Sequence, residues 1–301
     1  MLLRNDIRRA EFSHANGSTI KNNKTAVNCL ERFLTERGIA PSLTVAQLTP
    51  YLIKSFEQWH IEKGYKLSYS AQNMRCLRAM LKRIAGREIK LFSEVRTSNC
   101  QTEKRALSEE TMRRVADMQL SEHSFTAFAR DLFMACFYGM GIPLVDLLHI
   151  RKSQCTNQRI TYYRRKTHRK VEIEICPEMQ TIIDRYADDS SPFLFPVLTA
   201  TDSSESMRQY RCFYQKFSRS LGHVARQVGE KALTSYQARH SWASIAYKNH
   251  VSINDIAQAL GHSNTKITQA YIKDIDISHL SKANNIVKTA VFRATSYPFT
   301  A

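Results

Sequence analysis

Residues 160–175, ITYYRRKTHRKVEIEI, alternate apolar and polar side chains in two runs about a polar centre, and this stretch constrains the fold more than any other. Successive strand side chains point to opposite faces, so each run presents one face for burial, and the two runs with their centre read as an antiparallel hairpin. It is the clearest strand signal in the chain. Elsewhere the apolar residues return every three or four positions, which is the helical spacing. The expected fold is mainly α with a small antiparallel sheet.

The helical pattern falls into two groups. Ile20, Val27, Leu30, Phe33 and Leu34 mark a helix from Thr19 to a stop at Gly38. A second opens at Thr49-Pro50, a capping residue followed by proline at the first helical position, and carries Ile53, Phe56 and Trp59 toward Gly64. A third runs from Ser68 with Met74, Leu77, Leu81 and Ile84 on one face and Gly86 behind it. Together they predict a small all-helical domain over residues 1–95. The polar, aperiodic RTSNCQTEKR at 96–105 reads as a linker whose basic residues would suit a strand crossing DNA. Residues 106–301 form the second domain. Its helices open at Ser108, span Phe125 to Tyr138, and return after Pro177, including Tyr210, Tyr214, Phe217, Leu221, Val224 and Val228. Ser252 and Asp255 make a capping box, Gly261 ends that helix, and a short helix beyond it carries Tyr271. From about residue 275 a short helix and a loose tail are expected.

Charge narrows the partners. Against 27 Asp and Glu the chain sets 44 Lys and Arg, a formal net charge of +17, which calls for a polyanion. Nucleic acid fits better than membrane, because the basic residues are spread along the chain and no apolar run approaches the ~20 residues of a spanning helix. The first twenty residues lack the apolar core of a secretory signal, so a cytoplasmic location is expected. Seven cysteines without a CxxC pair suit a reducing compartment and offer no metal-site spacing. Neither a phosphate-binding glycine loop nor a carboxylate cluster for divalent ions is present, so no cofactor or metal is expected.

Three segments, in order, are the hairpin with RRKTHRK, the phrase SYQARHSWAS around Arg239, and IAQALGHSNTKITQAYI, in which Leu260-Gly261-His262 is followed nine residues later by Tyr271. By itself a leucine–glycine–histidine run is also a helix C-cap with a satisfied histidine. In that order and spacing the three resemble the catalytic domain of the tyrosine recombinase (phage integrase) family. ARHSWAS is similar to the Bacteroides-type recombinases and invertases. The helical first domain resembles the family's core-binding domain by pattern rather than by motif. The resemblance implies Tyr271 as nucleophile, Arg239 as a phosphate clamp, His262 as a phosphate or proton partner, and Lys166 as the acid for the leaving 5′-hydroxyl. It further implies double-stranded DNA recombination sites as substrate and a homotetramer working through a Holliday junction with the segment after Tyr271 docking on a neighbour, and it leaves accessory DNA-bending proteins open as further partners.

Two positions depart from the family's pattern. In FYGMGIPLVDLL, Asp146 matches the acid of a helix-start motif whose arginine should stand where Pro143 is. Proline has no donor with which to clamp a phosphate. Arg164 is the replacement candidate, because it lies two residues from Lys166 and should share its strand face, with Arg151 and Arg165 as weaker ones. Tyr236 stands where many members have histidine, and its hydroxyl can donate to a phosphate oxygen but is a poor proton shuttle near neutral pH. The loss at Pro143 keeps open a catalytically silent DNA-binding regulator derived from a recombinase, and the shared chemistry a type IB topoisomerase. The start of the chain close to the core-binding helices suggests an invertase or simple recombinase without an arm-binding domain.

Overall fold

A computed structural model describes residues 17–39, 43–85, 90–98 and 106–262, with Thr265 and Thr268. The chain forms two compact units, residues 1–103 and 104–301. Among the described residues no helix is long and apolar enough to cross a membrane.

Among the described residues three α-helices build the first unit: α1 (Gly17–Glu36), α2 (Pro50–Glu62) and α3 (Leu67–Ala85). The Thr49-Pro50 signal starts α2 as expected. Proline occupies the first turn, where its missing N–H costs no helical bond, and the Leu52 N–H donates to Thr49 Oγ1 at 3.2 Å. Gly38 and Gly64 follow α1 and α2 with φ of 65° and 69°, the left-handed conformation in which helices commonly stop. Gly86 lies outside the described residues. Phe33, Phe56, Trp59, Met74, Leu77 and Met80 fill the core, with Phe56 stacked on Trp59. A short 3-10 turn, Lys90–Phe92, adds Leu91 and Phe92 to that core. The polar stretch beginning at Arg96 starts bonded to this unit: the Arg96 N–H donates to Glu57 Oε1 at 2.8 Å and Arg75 donates to the Thr97 carbonyl at 3.2 Å. Residues 99–105 of the expected linker lie outside the described residues.

In the second unit Ser108 caps α4 (Glu109–Ala116) and Ser124 caps α5 (Phe125–Tyr138). The mostly apolar character of α5 follows from its place at the centre of the unit, packed by α7 (Pro177–Arg185), α8 (Ser203–Gln227) and α9 (Ser235–Lys248), with its buried Asp131 paired to Arg130 and Arg185. Between α5 and the sheet lie a one-turn helix, α6 (Leu144–Leu147), and a 3-10 turn, Lys152–Gln154. The sheet is antiparallel, in the order β1 (Cys155–Thr156), β2 (Arg159–Tyr163), β3 (Lys170–Glu174). Ile160 pairs with Ile173 and Tyr162 with Val171, so the alternation seen in the sequence buries one face. β1 was not foreseen. It is two residues long, and its turn uses Asn157 and Gln158 at φ of 50° and 58°, a tight hairpin geometry that usually announces itself with glycine.

Candidate active site

Arg239 is the centre of the site. It sits in the second turn of α9, whose start is fixed by the Thr234 N–H donating to Gln237 Oε1 at 2.7 Å. The side chain is only 2% exposed. Its guanidinium donates to the Gly141 carbonyl at 2.8 Å and to the Leu260 carbonyl at 2.6 Å, and contacts His262 Nε2 at 3.0 Å. Gly141, at φ 73°, makes this approach possible, since a Cβ there would lie 2.9 Å from Arg239 Cα. The two α5–α6 loop residues before Ile142 both hold positive φ, and they bring the Gly141 carbonyl round to the arginine.

The Leu260 carbonyl arrives through the end of α10 (Ile253–Ala259). Ser252 caps this helix through the Asp255 N–H at 3.1 Å, and Gly261 terminates it at φ 62°. The Gly261 N–H bonds the Gln258 carbonyl and the His262 N–H bonds the Ala257 carbonyl, both at 2.9 Å, the paired bonds of a Schellman stop. The leucine–glycine–histidine run is therefore a true helix C-cap. It also delivers His262 to the arginine.

Arg164 completes the convergence. It is 4% exposed, and its guanidinium donates to the same Leu260 carbonyl at 2.7 Å. Its Nε lies 3.4 Å from the buried Asp146 carboxylate, which also accepts the Arg165 N–H at 3.1 Å. Gly261 is again the reason for the fit, because a Cβ there would stand 2.8 Å from Arg164 Cδ. Pro143 has a purely local part: it precedes α6, and its carbonyl accepts the Asp146 and Leu147 N–H groups. Strand alternation places Tyr162 and Arg164 on the buried side, but it stops there. Lys166 falls in the turn 165–167 and is exposed rather than sharing a strand face with Arg164.

His262 is 9% exposed, with Nδ1 2.9 Å from Thr268 Oγ1. Arginine only donates, so Nε2 is the accepting nitrogen and the proton sits on Nδ1, facing the threonine. Burial, then the charges of Arg239, Arg164 and Lys166, push the imidazole down to about 4. It is neutral at physiological pH. Tyr236 lies one turn before Arg239 on α9, 40% exposed, with its ring 5.4 Å from that of His240. Arg151 and Arg165 are exposed. Tyr271 and the segment from 275 lie outside the described residues.

The structure thus brings Arg164, Arg239 and His262 together around one carbonyl, with Lys166 in electrostatic reach of the histidine. Three contributors were not singled out from the sequence: Gly141, the Leu260 carbonyl, and Arg169, whose guanidinium donates to the His262 carbonyl at 2.9 Å. Backbone acceptors leave no trace in residue type. Gly141 carried a signal as a glycine after an apolar helix, and Arg169 as one of the basic residues of RRKTHRK. Chemically, two buried guanidiniums beside a neutral imidazole form a receptor for the oxygens of an anion.

Residues 106–276 match the Phage integrase family. The chain is 26% identical over 167 residues to a protein named tyrosine recombinase XerA from Thermococcus kodakarensis, covering 52% of this chain and 55% of that one. It is also 26% identical over 161 residues to its namesake from Pyrococcus furiosus, covering 50% and 52%. It therefore spans about half the length of the curated relatives it matches. The fold is similar to that of the Tn1549 transposon integrase in complex with transposon right end DNA, with a TM-score of 0.68 at 13% identity over 96% of this chain and 100% of that one. It is equally similar to a lambda integrase dimer bound to a COC′ core site, with a TM-score of 0.68 at 15% identity over 91% and 96%.

Proposed function

This chain belongs to the phage integrase family, and we propose that it is a site-specific DNA recombinase acting through a 3′-phosphotyrosyl intermediate. The observation that carries the proposal is the convergence of Arg164 and Arg239 on one carbonyl oxygen beside His262. A phosphodiester repels nucleophiles because its oxygens are negative, and fixed donors aimed at those oxygens are the main means of lowering the barrier. Arg239 holds one non-bridging oxygen and Arg164, in place of the arginine absent at Pro143, holds the other.

In the proposed step Tyr271 Oη attacks the scissile phosphorus, a new P–O bond forms to the tyrosine, and the bond to the 5′ oxygen breaks. Lys166 gives its proton to that departing oxygen. The tyrosine's own proton passes toward His262 Nε2. A bound phosphate supplies the negative charge that the cluster lacks, which raises the histidine from its depressed value and makes Nε2 a better acceptor in the complex than in the free protein. Tyr236 steadies the phosphate through its hydroxyl. The phosphotyrosyl bond conserves the energy of the one broken, so a 5′-hydroxyl from another strand reverses the step without ATP.

The partner is duplex DNA, gripped by basic residues from both units and released steeply by salt. Lambda integrase has been solved as a tetramer bound to a Holliday junction, which supports a homotetramer here, with residues 275–292 as the segment offered to a neighbouring subunit. Such a protein acts in the cytoplasm, where accessory DNA-bending proteins can shape its sites.

The test is covalent trapping on a nicked suicide duplex taken from repeats flanking the gene. An adduct that resists denaturation and vanishes in Tyr271→Phe supports the mechanism. A duplex bound by the wild-type chain without any adduct favours the silent DNA-binding regulator, the reading that Pro143 keeps alive.

A further inference from the structure

We infer that Arg169 is a positioning residue for Lys166, pinning the hairpin turn so that the lysine ammonium is held at the leaving oxygen. The inference rests on the reading of Lys166 as general acid.

The β2–β3 turn is short and closed. The Arg164 N–H donates to the Arg169 carbonyl and the His168 N–H to the Arg164 carbonyl, both at 2.8 Å, while His168 takes φ 54° to complete the reversal. The two arginines at the foot of the turn send their guanidiniums to the same short segment. Arg164 reaches the Leu260 carbonyl at 2.7 Å and Arg169 the His262 carbonyl at 2.9 Å. These carbonyls flank Gly261, whose missing Cβ leaves room for Arg164 Cδ and Val171 Cγ2. The hairpin therefore straddles Gly261 on two legs, and Lys166 stands between them.

One leg would leave a hinge. The β2–β3 pairing and the backbone bonds between Arg164 and Arg169 fix the base of the turn, but with Arg164 alone reaching the end of α10 the tip could still tilt away from Gly261, and a lysine there would sample many positions with its four-carbon stem. The second leg removes that freedom. Lys166 adds to the charges that depress His262, which places its ammonium within electrostatic reach of the imidazole. Arg164 has two tasks, anchoring the turn and clamping phosphate, so its loss cannot separate them. Among the described residues of the site the Arg169 side chain touches a backbone carbonyl and no other site group, and its removal isolates positioning.

The experiment compares two scissile chemistries. Duplexes bound by the full chain are selected from a random-sequence library, the cleaved position is mapped by Tyr271 adducts, and the same duplex is remade with sulfur as the bridging 5′ atom. A thiol ionises at about 8.5, so the thiolate departs without a proton and general acid catalysis is bypassed. On the oxygen duplex, Arg169→Ala is expected to slow single-turnover adduct formation by roughly 10- to 100-fold, at or below the usual span for a general acid. Arg169→Lys, which can still donate to the carbonyl, loses less. On the sulfur duplex both Arg169→Ala and Lys166→Ala regain the wild-type rate, with thermal melting showing that both variants are folded. Arg169→Ala that is equally slow on both duplexes, or not slow on oxygen, overturns the inference. Lys166→Ala that gains nothing from sulfur overturns the assignment of the acid and the positioning role with it, while a Tyr271-dependent wild-type adduct leaves the recombinase reading standing.

Discussion

Arg164 and Arg239 donate to the same acceptor, the Leu260 carbonyl oxygen, at 2.7 and 2.6 Å. Two guanidiniums buried side by side repel each other and have lost most of their water, a costly arrangement unless something offsets it. Here the offsets are one carboxylate, Asp146, and the carbonyls of Leu260 and Gly141. The remainder is uncompensated positive potential, which adds to burial in depressing the imidazole of His262 beside Arg239.

Arg164→Lys should therefore cost far more in cleavage than in DNA binding. Lysine keeps the charge opposite Asp146 but cannot span the carboxylate, the Leu260 carbonyl and a phosphate oxygen at once. Loss of one donor to a developing charge is worth about 100- to 1000-fold in rate. Single-turnover adduct formation should fall by that order while gel-shift affinity changes by only a few fold. An unchanged rate would move the second clamp to Arg151 or Arg165.

Both glycines beside the arginines should resist substitution, for two separable reasons. Gly141, Gly229 and Gly261 all hold positive φ, but a Cβ at Gly229 meets nothing within 4 Å whereas one at Gly261 meets Arg164 Cδ at 2.8 Å. Gly229→Ala should show the backbone strain alone, about 1 kcal/mol, and Gly261→Ala and Gly141→Ala more than that. Urea midpoints at fixed slope measure the difference. Equal losses at the three positions would mean that the arginines move aside freely.

The pattern of success in reading the sequence follows the range of the interactions involved. Thr49, Ser108 and Ser252 announced their helices because a cap acts within three residues. The hairpin was legible because alternation over two runs has one burial solution. The expectation that Arg164 and Lys166 share a strand face failed, because the strand had already given way to the turn. Asp146 was visible as a family position, yet its bond to Arg164 joins segments that no local pattern relates. Tyr271 rests on its motif alone.

The β1–β2 turn missed in the sequence is also a place to gain stability. Asn157 and Gln158 both hold positive φ, and the second position of such a turn strongly prefers glycine. Gln158→Gly should stabilise the second unit by about 0.5–1 kcal/mol, since the αL penalty on an L-residue exceeds the entropy glycine adds to the unfolded chain. The check is an upward shift in the denaturation midpoint of that unit with adduct formation unaltered. A downward shift would show that the Gln158 side chain contributes more than its strained backbone costs.

Acid should destabilise the second unit through His262 before its carboxylates titrate. The histidine is pushed down to about 4 by burial first and by Arg239, Arg164 and Lys166 next, against an ordinary value of 6.5 in the unfolded chain. Between those values the unfolded state binds a proton that the folded state refuses, so stability is full above about pH 6.5 and is lost as the pH falls toward 4. Two and a half pH units of linkage amount to about 3 kcal/mol. His60, buried in the first unit with Nδ1 2.8 Å from the Phe56 carbonyl, is also lowered by burial, so that unit should weaken in the same direction. His262→Gln should flatten the slope for the second unit only, because glutamine retains an acceptor toward Arg239 without a titrating group. Urea denaturation between pH 7.5 and 4.5, followed separately for each unit, reads this out. An unchanged slope in His262→Gln would place the acid sensitivity elsewhere and weaken the picture of a neutral imidazole wedged among three cations.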